Sequence, residues 1–514
     1  MERYDRVPYR GGAIHDTPPN QIAAIAWLHS LSAPPPRRCR VLELGCGRGS
    51  NLLPMAWSLP EARFVGIDTA ATQVDEARDR AAEVGLDNVA FQVADILDFE
   101  AAERSFDYII AHGVLSWVPR EVQDALLRIC GRCLSDDGVA YVSYNTLPGW
   151  HFRGGMRDLL RFHTEARDNP EAQVREARSL LDLYAELSGD DPYGRLVQRE
   201  AELVRGLPAW YLFHDQLADL NHPLYIREFV RWAEEAGLRY LTDAEREFKR
   251  ARPEVRERLR TLSEDRVRMM QYEDFLLNRS FRCSLLVRAP RTPAPEPQHE
   301  RIRDLRVSGL TRPEDGPLAD LSSTAMVGYT TPEKKRFQAG APVVKAALQV
   351  LFELWPGSTP FESLYLEARR RLGRTDEGDD EERNLLTNSV FEGFRAAFFQ
   401  LTVQPERYAT ETSERPVAIP LARLQAASAE PRITNAMHSE IKLGALSRRL
   451  LMHLDGRDRA ALLDALIRDH GSGGLIIRTQ DGEPVVAPEV AQALLEEALD
   501  QHLEILTRFA MLAS

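Results

Sequence analysis

The sequence predicts an α/β fold, a parallel sheet with crossover helices in its first 150 residues, followed by a mainly helical chain. Three observations carry that prediction. Residues 41–49 read Val-Leu-Glu-Leu-Gly-Cys-Gly-Arg-Gly, an apolar strand running into a glycine-rich turn. A second apolar run, Phe64 to Asp68, closes on an acid. Strands and amphipathic helical stretches then alternate as far as Tyr144, the pattern of parallel strands joined by crossover helices. In order, Gln21–Leu31 reads as a helix covering the glycine-turn side, and Pro34-Pro35-Pro36 as a rigid lead-in. Val41–Leu44 is the first strand and Asn51–Ser58 the helix after the turn. Phe64–Ile67, Val89–Val93, Tyr108–Ala111 and Val139–Tyr144 are four more strands, with helices at Ala71–Val84 and Glu121–Cys133.

From 151 to 288 the apolar spacing becomes helical, at Glu171–Leu187, Arg195–Arg205, Ile226–Gly237 and Glu254–Asn278. Phe281–Arg288 reads as a strand again, placed to add a late edge strand to the first sheet. The helical middle is then an insertion ahead of that strand. Residues 289–299 hold four prolines in eleven positions and form the clearest linker. Beyond it, in 300–514, helices are expected at Val343–Trp355, Phe361–Leu372, Asn384–Gln400, Ser447–His453, Arg457–Asp469 and Pro488–Met511, with acidic Asp376–Glu382 as a solvated loop. Leu475–Arg478 and Val485–Val486 flank Asp481-Gly482, a hairpin signal. Helix, helix, hairpin, helix describes one or two winged-helix-like units.

Bulk composition narrows the class. Of 514 residues 44 % are hydrophobic and 28 % charged, as in ordinary globular proteins, and the length suits roughly three domains of ~150 residues. No apolar run approaches the ~18–20 residues of a membrane span, so no membrane insertion is expected. The start, Met-Glu-Arg-Tyr-Asp, has no basic or apolar leader, and five cysteines do not make a disulfide framework. A cytoplasmic protein is expected. Cys130 and Cys133 fall on a helical pattern with no second pair nearby, so no metal site is expected. The net charge of −13 disfavours nonspecific nucleic-acid binding.

The glycine spacing selects the ligand. A dinucleotide domain wants G-x-G-x-x-G, whereas here position 50 is Ser50 and the motif is Glu43-x-Gly45-x-Gly47-x-Gly49. That form resembles motif I of the class I S-adenosylmethionine-dependent methyltransferases, which implies a Rossmann-like sheet of seven strands and S-adenosyl-L-methionine as cofactor. Gly45 and Gly47 let the backbone approach a ligand through turns closed to a Cβ. Asp68, at the carboxyl edge of the second strand, can accept both ribose hydroxyls. Asp95 follows the third strand, placed for the adenine amino group. Ala111, His112 and Gly113 end the fourth strand, beneath the methyl. Glu43, Cys46, Gly49, Asn51, Thr69 and Ile96 complete the expected cofactor-binding set.

The likeness reaches further. Tyr4-Asp5-x-Val7-Pro8-Tyr9, Ala111-His112-Gly113-Val114-x-Ser116-Trp117-Val118-Pro119 and Val142-Ser143-Tyr144-Asn145-x-x-Pro148-Gly149-Trp150 resemble the bacterial protein-lysine methyltransferases of outer-membrane proteins. Those proteins join a methyltransferase core to a methyltransferase regulatory domain and a C-terminal winged-helix-like domain. Tyr211-Leu212-x-His214-Asp215-x-Leu217, Pro223-x-Tyr225-Ile226-x-Glu228-Phe229 and Tyr272-x-Asp274-Phe275-Leu276-x-Asn278-Arg279 resemble the second. Arg415-Pro416-Val417-Ala418-x-Pro420-Leu421 and Leu454-Asp455-Gly456-x-Asp458-Arg459 resemble the third. Two positions depart from the pattern: Ile226 stands where Phe is expected, and Leu115 where Tyr is expected.

The implied reaction is in-line methyl transfer to a deprotonated lysine amine of a protein substrate. Aromatic walls suit an alkylammonium stem, so Tyr9, His112, Trp117, Tyr144 and Trp150 are expected to line the acceptor channel. His112 or Tyr144 would take the proton, while His214 and His222 read as structural. Two other readings compete. A small-molecule, peptide or nucleic-acid methyltransferase shares the fold, although acidity and the Ala-His-Gly-Val sequence after strand four speak against nucleic acid. A non-catalytic module could sense the cofactor. The C-terminal helix Arg457–Asp469 mixes Asp458, Asp464 and Asp469 with its arginines, which favours protein contact or a homodimer over DNA.

Overall fold

The computed structural model describes residues 6–244, 253–316, 320–332, 334–374, 378, 380–478 and 483–514. Seven strands form the main sheet: β1 (Arg40–Leu44), β2 (Arg63–Asp68), β3 (Val89–Val93), β4 (Phe106–Ala111), β5 (Leu134–Asn145), β6 (Leu238–Asp243) and β7 (Phe281–Arg288), in the order β3-β2-β1-β4-β5-β7-β6. The first five pair in parallel. β7 runs antiparallel to β5 on one side and to β6 on the other. Phe281–Arg288 is therefore an interior strand, and the edge belongs to Leu238–Asp243. That short segment follows Gly237, whose φ of +77° ends the preceding helix in a left-handed turn.

The two faces of the sheet lead to different partners. Val41, Tyr108, Ile110, Val139, Tyr141, Leu285 and Val287 share a core that continues into the C-terminal part as far as Leu512. Leu42, Ile109, Ala140, Val142, Tyr144 and Leu286 face the helices Arg120–Cys133 and Ile226–Glu235 on the other side. Cys130 and Cys133 are buried there, as are Leu115 and Ile226, so both departures from the family pattern are core positions. Helix Pro19–Leu28 does not simply cover the glycine-turn side. It is apolar all round, with Ile22, Ala24 and Ala26 fully buried, and it wedges between the sheet and the C-terminal part. There the Asn20 carboxamide oxygen accepts from the backbone N–H groups of Val403 and Gln404.

The middle part forms its own core. Helices Gly149–Thr164, Pro170–Leu187, Pro192–Arg205 and Ala209–Asp215 bury Met156, Leu160, Val174, Leu181, Val197 and Leu212, with Val7 from the N-terminal segment packed on them. The expected helix Glu254–Asn278 is two helices, Pro253–Arg260 and Arg266–Leu277. Asp265 caps the second by accepting from the Arg268 N–H at 2.7 Å. The proline-rich stretch 289–299 is pinned to the core, with the Ala294 N–H bonded to the His29 carbonyl at 2.8 Å.

In the C-terminal part, Asp380–Glu382 open the helix Asp380–Arg395 rather than a loop, and Glu382 pairs with Arg369 and Arg374. Asp376 and the hairpin tip Asp481-Gly482 lie outside the described residues, as do Tyr4 and Asp5. Arg478 bridges Pro484 in antiparallel fashion at the base of that hairpin, ahead of the long helix Pro488–Arg508. No described helix is long and apolar enough to cross a membrane.

Candidate active site

The glycine turn links β1 to the helix Leu52–Ser58. Gly45, Gly47 and Gly49 have φ of +77°, +51° and +75°. They serve different ends. A Cβ on Gly45 would strike Val114, in the loop after β4, at 2.5 Å, and one on Gly49 would strike Phe91 at 2.7 Å. Gly49 is therefore needed for packing of helix against sheet. A Cβ on Gly47 would meet only the Gln73 side chain, at 3.3 Å, so this backbone is the one left open to a ligand. Cys46 is buried against the position of Gly66, its backbone N–H bonded to the Ile67 carbonyl at 3.0 Å.

Two acids frame the turn. Asp68 accepts from the Gly47 N–H at 2.8 Å with one carboxylate oxygen and from the Ala70 N–H at 2.9 Å with the other. Glu43 is buried, and its Oε1 accepts from the Asn51 Nδ2 at 2.7 Å. Burial pushes the Glu43 carboxyl up to about 8 against the pull of that hydrogen bond, and the nearby Asp68 charge adds to the rise.

Glu43 Oε2 and Gln73 Oε1 are buried without a hydrogen-bond partner among the described residues. Buried polar atoms are nearly always paired, so two such acceptors beside an open glycine turn fit a polar, donor-rich ligand such as an amino-acid-bearing nucleoside. Thr69 is half-buried after Asp68. Asp95 turns the chain after β3, accepting from the Leu97 N–H at 2.9 Å, and Ile96 is buried beside it.

At the end of β4, Ala111 is fully buried and Gly113 donates its N–H to the Ser143 hydroxyl at 2.8 Å. The His112 Nδ1 lies 3.0 Å from the Tyr141 hydroxyl, and its ring packs near Phe281. Burial lowers His112 to about 4, so the imidazole is neutral at neutral pH. Tyr144 is not in this group. Side chains alternate along β5, and Tyr144 points to the opposite face, fully buried and stacked on Phe229 at 4.1 Å, its hydroxyl 3.3 Å from Ser284. The structure sets it in the core beneath the regulatory helices and away from His112.

The remaining aromatic candidates form two clusters. Trp117 and Trp150 meet edge to face at 6.0 Å, at the carboxyl ends of β4 and β5, and the buried Trp150 Nε1 has no hydrogen-bond partner among the described residues. Tyr9 packs on Trp210 at 4.6 Å and on His214 at 5.7 Å, both on the helix Ala209–Asp215. His214 bonds the Val7 carbonyl at 2.6 Å, a structural role. The loop after that helix crosses the strand ends: the His222 N–H bonds the Ser116 carbonyl at 2.8 Å, and Asn221 accepts from Asn145 at 2.8 Å.

Asp215, which sequence reasoning treated only as part of a motif, is raised to about 7 by burial, against the lowering pull of Tyr211 one helical turn away. The i, i+4 spacing of Tyr211 and Asp215 was the available signal.

Comparison with known proteins matches this arrangement part by part. The model of a methyltransferase domain family matches residues 41–138, that of a predicted methyltransferase regulatory domain 208–288, and that of the PKMT C-terminal winged helix domain 414–511. An uncharacterized protein of Rickettsia prowazekii is 30 % identical over 512 residues, covering 98 % of this chain and 92 % of its own. The structure of PKMT2 from Rickettsia typhi in complex with AdoHcy superposes with a TM-score of 0.89 at 26 % identity, covering 99 % of this chain and all of that one. The chain belongs to the class I S-adenosylmethionine-dependent methyltransferases that combine a methyltransferase domain, a methyltransferase regulatory domain and a PKMT-type winged helix.

Proposed function

We propose that this enzyme is a protein-lysine N-methyltransferase. One observation carries the reading: the likeness to PKMT2 runs through the regulatory and winged-helix parts as well as the methyltransferase domain. Relatives that share only the catalytic fold would leave the substrate open. Two aromatic clusters, contributed by the N-terminal segment, the strand ends and the regulatory helix, support it further.

In this reading the backbone at Gly47 approaches the ligand while Gly45 makes room for Val114, Asp68 accepts from the ribose hydroxyls and Asp95 from the adenine amino group. Glu43 Oε2 accepts from the amino-acid ammonium. Bound there, S-adenosylmethionine supplies a methyl group already activated on a sulfonium. The protein's part is to align the nucleophile and exclude water. A lysine amine, with a reference pKa near ~10.4, must shed a proton first. His112, at the end of β4, is assigned to take it, and the Trp117–Trp150 pair shelters the alkyl stem.

The test is residue-level mapping of methyl groups in a protein acceptor. Methyl on lysine Nζ supports the proposal. Methyl confined to carboxylates, hydroxyls or imidazoles overturns it.

A further inference from the structure

The C-terminal part reaches directly into the cofactor turn. His438, on a tight turn with φ +60°, is buried and places its Nε2 2.7 Å from the Asn51 Oδ1. The same oxygen accepts from the Ile14 N–H at 2.9 Å and lies 3.0 Å from the Thr17 hydroxyl. A backbone N–H can only donate, so Oδ1 is the acceptor end of the amide and Nδ2 is the end that donates to Glu43. His438 is therefore the Nε2–H tautomer, and it stays neutral because burial, reinforced by His15, holds it at about 3.

A second contact ties the same regions together. Glu430 pairs with Arg48, the residue between Gly47 and Gly49, and with Arg80 at 2.6 Å. The N-terminal segment is clamped between them: His15 lies 3.3 Å from the Ser439 hydroxyl and 3.5 Å from Gln400.

We propose that His438 is a positioning residue of the cofactor site. It holds Asn51, and through Asn51 it holds Glu43 with one oxygen engaged and the other turned to the ligand ammonium. The winged-helix part is thereby a working piece of the cofactor site rather than an appended docking module. The proposal rests on the assignment of Glu43 and Asp68 to the cofactor.

The experiment is titration of the full-length protein with S-adenosylhomocysteine by calorimetry, with melting temperatures measured alongside. H438M fills the volume without a donor; H438Q restores an N–H donor in the same place. The expected result is that H438M binds about tenfold more weakly than wild type and H438Q recovers to within about threefold, at matching melting temperatures. D68A separates the two questions. If D68A loses binding while H438M and H438Q both bind as wild type does, the positioning role is overturned and the cofactor assignment stands. If D68A itself binds as wild type does, the ligand lies elsewhere and both fall.

Discussion

The Gly47 N–H and the Asp68 carboxylate are joined by a 2.8 Å hydrogen bond that locks the glycine turn to the end of β2. The turn and the acid are thus one unit. Gly47 sits at φ +51°, a region that costs an L side chain roughly 1–2 kcal/mol. G47A should weaken S-adenosylhomocysteine binding about tenfold, and D68A about tenfold to a hundredfold through the lost charge-assisted bonds. Calorimetry of the two variants checks this.

In the proposed reading Glu43 should make cofactor affinity pH-dependent. Its carboxyl sits at about 8, so in the free protein at pH 6 it is protonated. Binding an ammonium group favours the ionised form, so affinity should rise by up to about tenfold per pH unit toward pH 8 and then flatten. The same shift acts on stability with the opposite sense. Between the unfolded value of 4.5 and about 8 the folded state holds a proton that the unfolded chain has lost. The free protein should therefore lose up to ~1.4 kcal/mol per pH unit across that window, and E43Q should abolish both trends. Binding and denaturant titrations at pH 5.5, about 7 and about 8.5 would show them.

His112 and Tyr144 should separate cleanly in kinetics. H112A should lower kcat about 10²-fold with little change in cofactor affinity, the size expected for loss of a proton acceptor. Y144F removes a buried hydroxyl that lies 3.3 Å from Ser284 and should leave kcat within about threefold. Single-turnover rates of both variants decide it. A large loss in Y144F with an intact fold would return Tyr144 to the site.

Arg282 holds the far side of the sheet together. Buried at 1 % exposure, it donates to Asp274 at 2.7 Å and pairs with Asp243, whose other oxygen accepts from Ser284 at 3.0 Å. R282M would leave the buried Asp243 without its cationic partner and Asp274 with Arg279 alone, and should cost roughly 3–5 kcal/mol of stability. R282M/D274N/D243N should recover part of that loss, measured by urea denaturation.

The glycine turn and its link to Asp68 were legible because their determinants are local: a strand, three glycines and an acid within thirty residues of chain. The face occupied by Tyr144 was legible in principle, since Val139 and Tyr141 alternate with Ala140, Val142 and Tyr144. Its neighbours in the motif suggested the site, and the strand's twofold period outranked them. The edge strand Leu238–Asp243 escaped notice because six residues after a helix give little periodicity. His438 lay beyond sequence reasoning altogether. It meets Asn51 across 387 positions, and nothing near it in the chain hints at a partner in the glycine turn.

The central claim, methyl transfer to protein lysine, is tested most directly with labelled S-adenosylmethionine in a bacterial lysate divided into protein, nucleic-acid and small-molecule fractions, run beside D68A. The account predicts label in protein, on lysine, with wild type and at least severalfold less with D68A at sub-saturating cofactor. Label that appears only in the small-molecule or nucleic-acid fraction would contradict it.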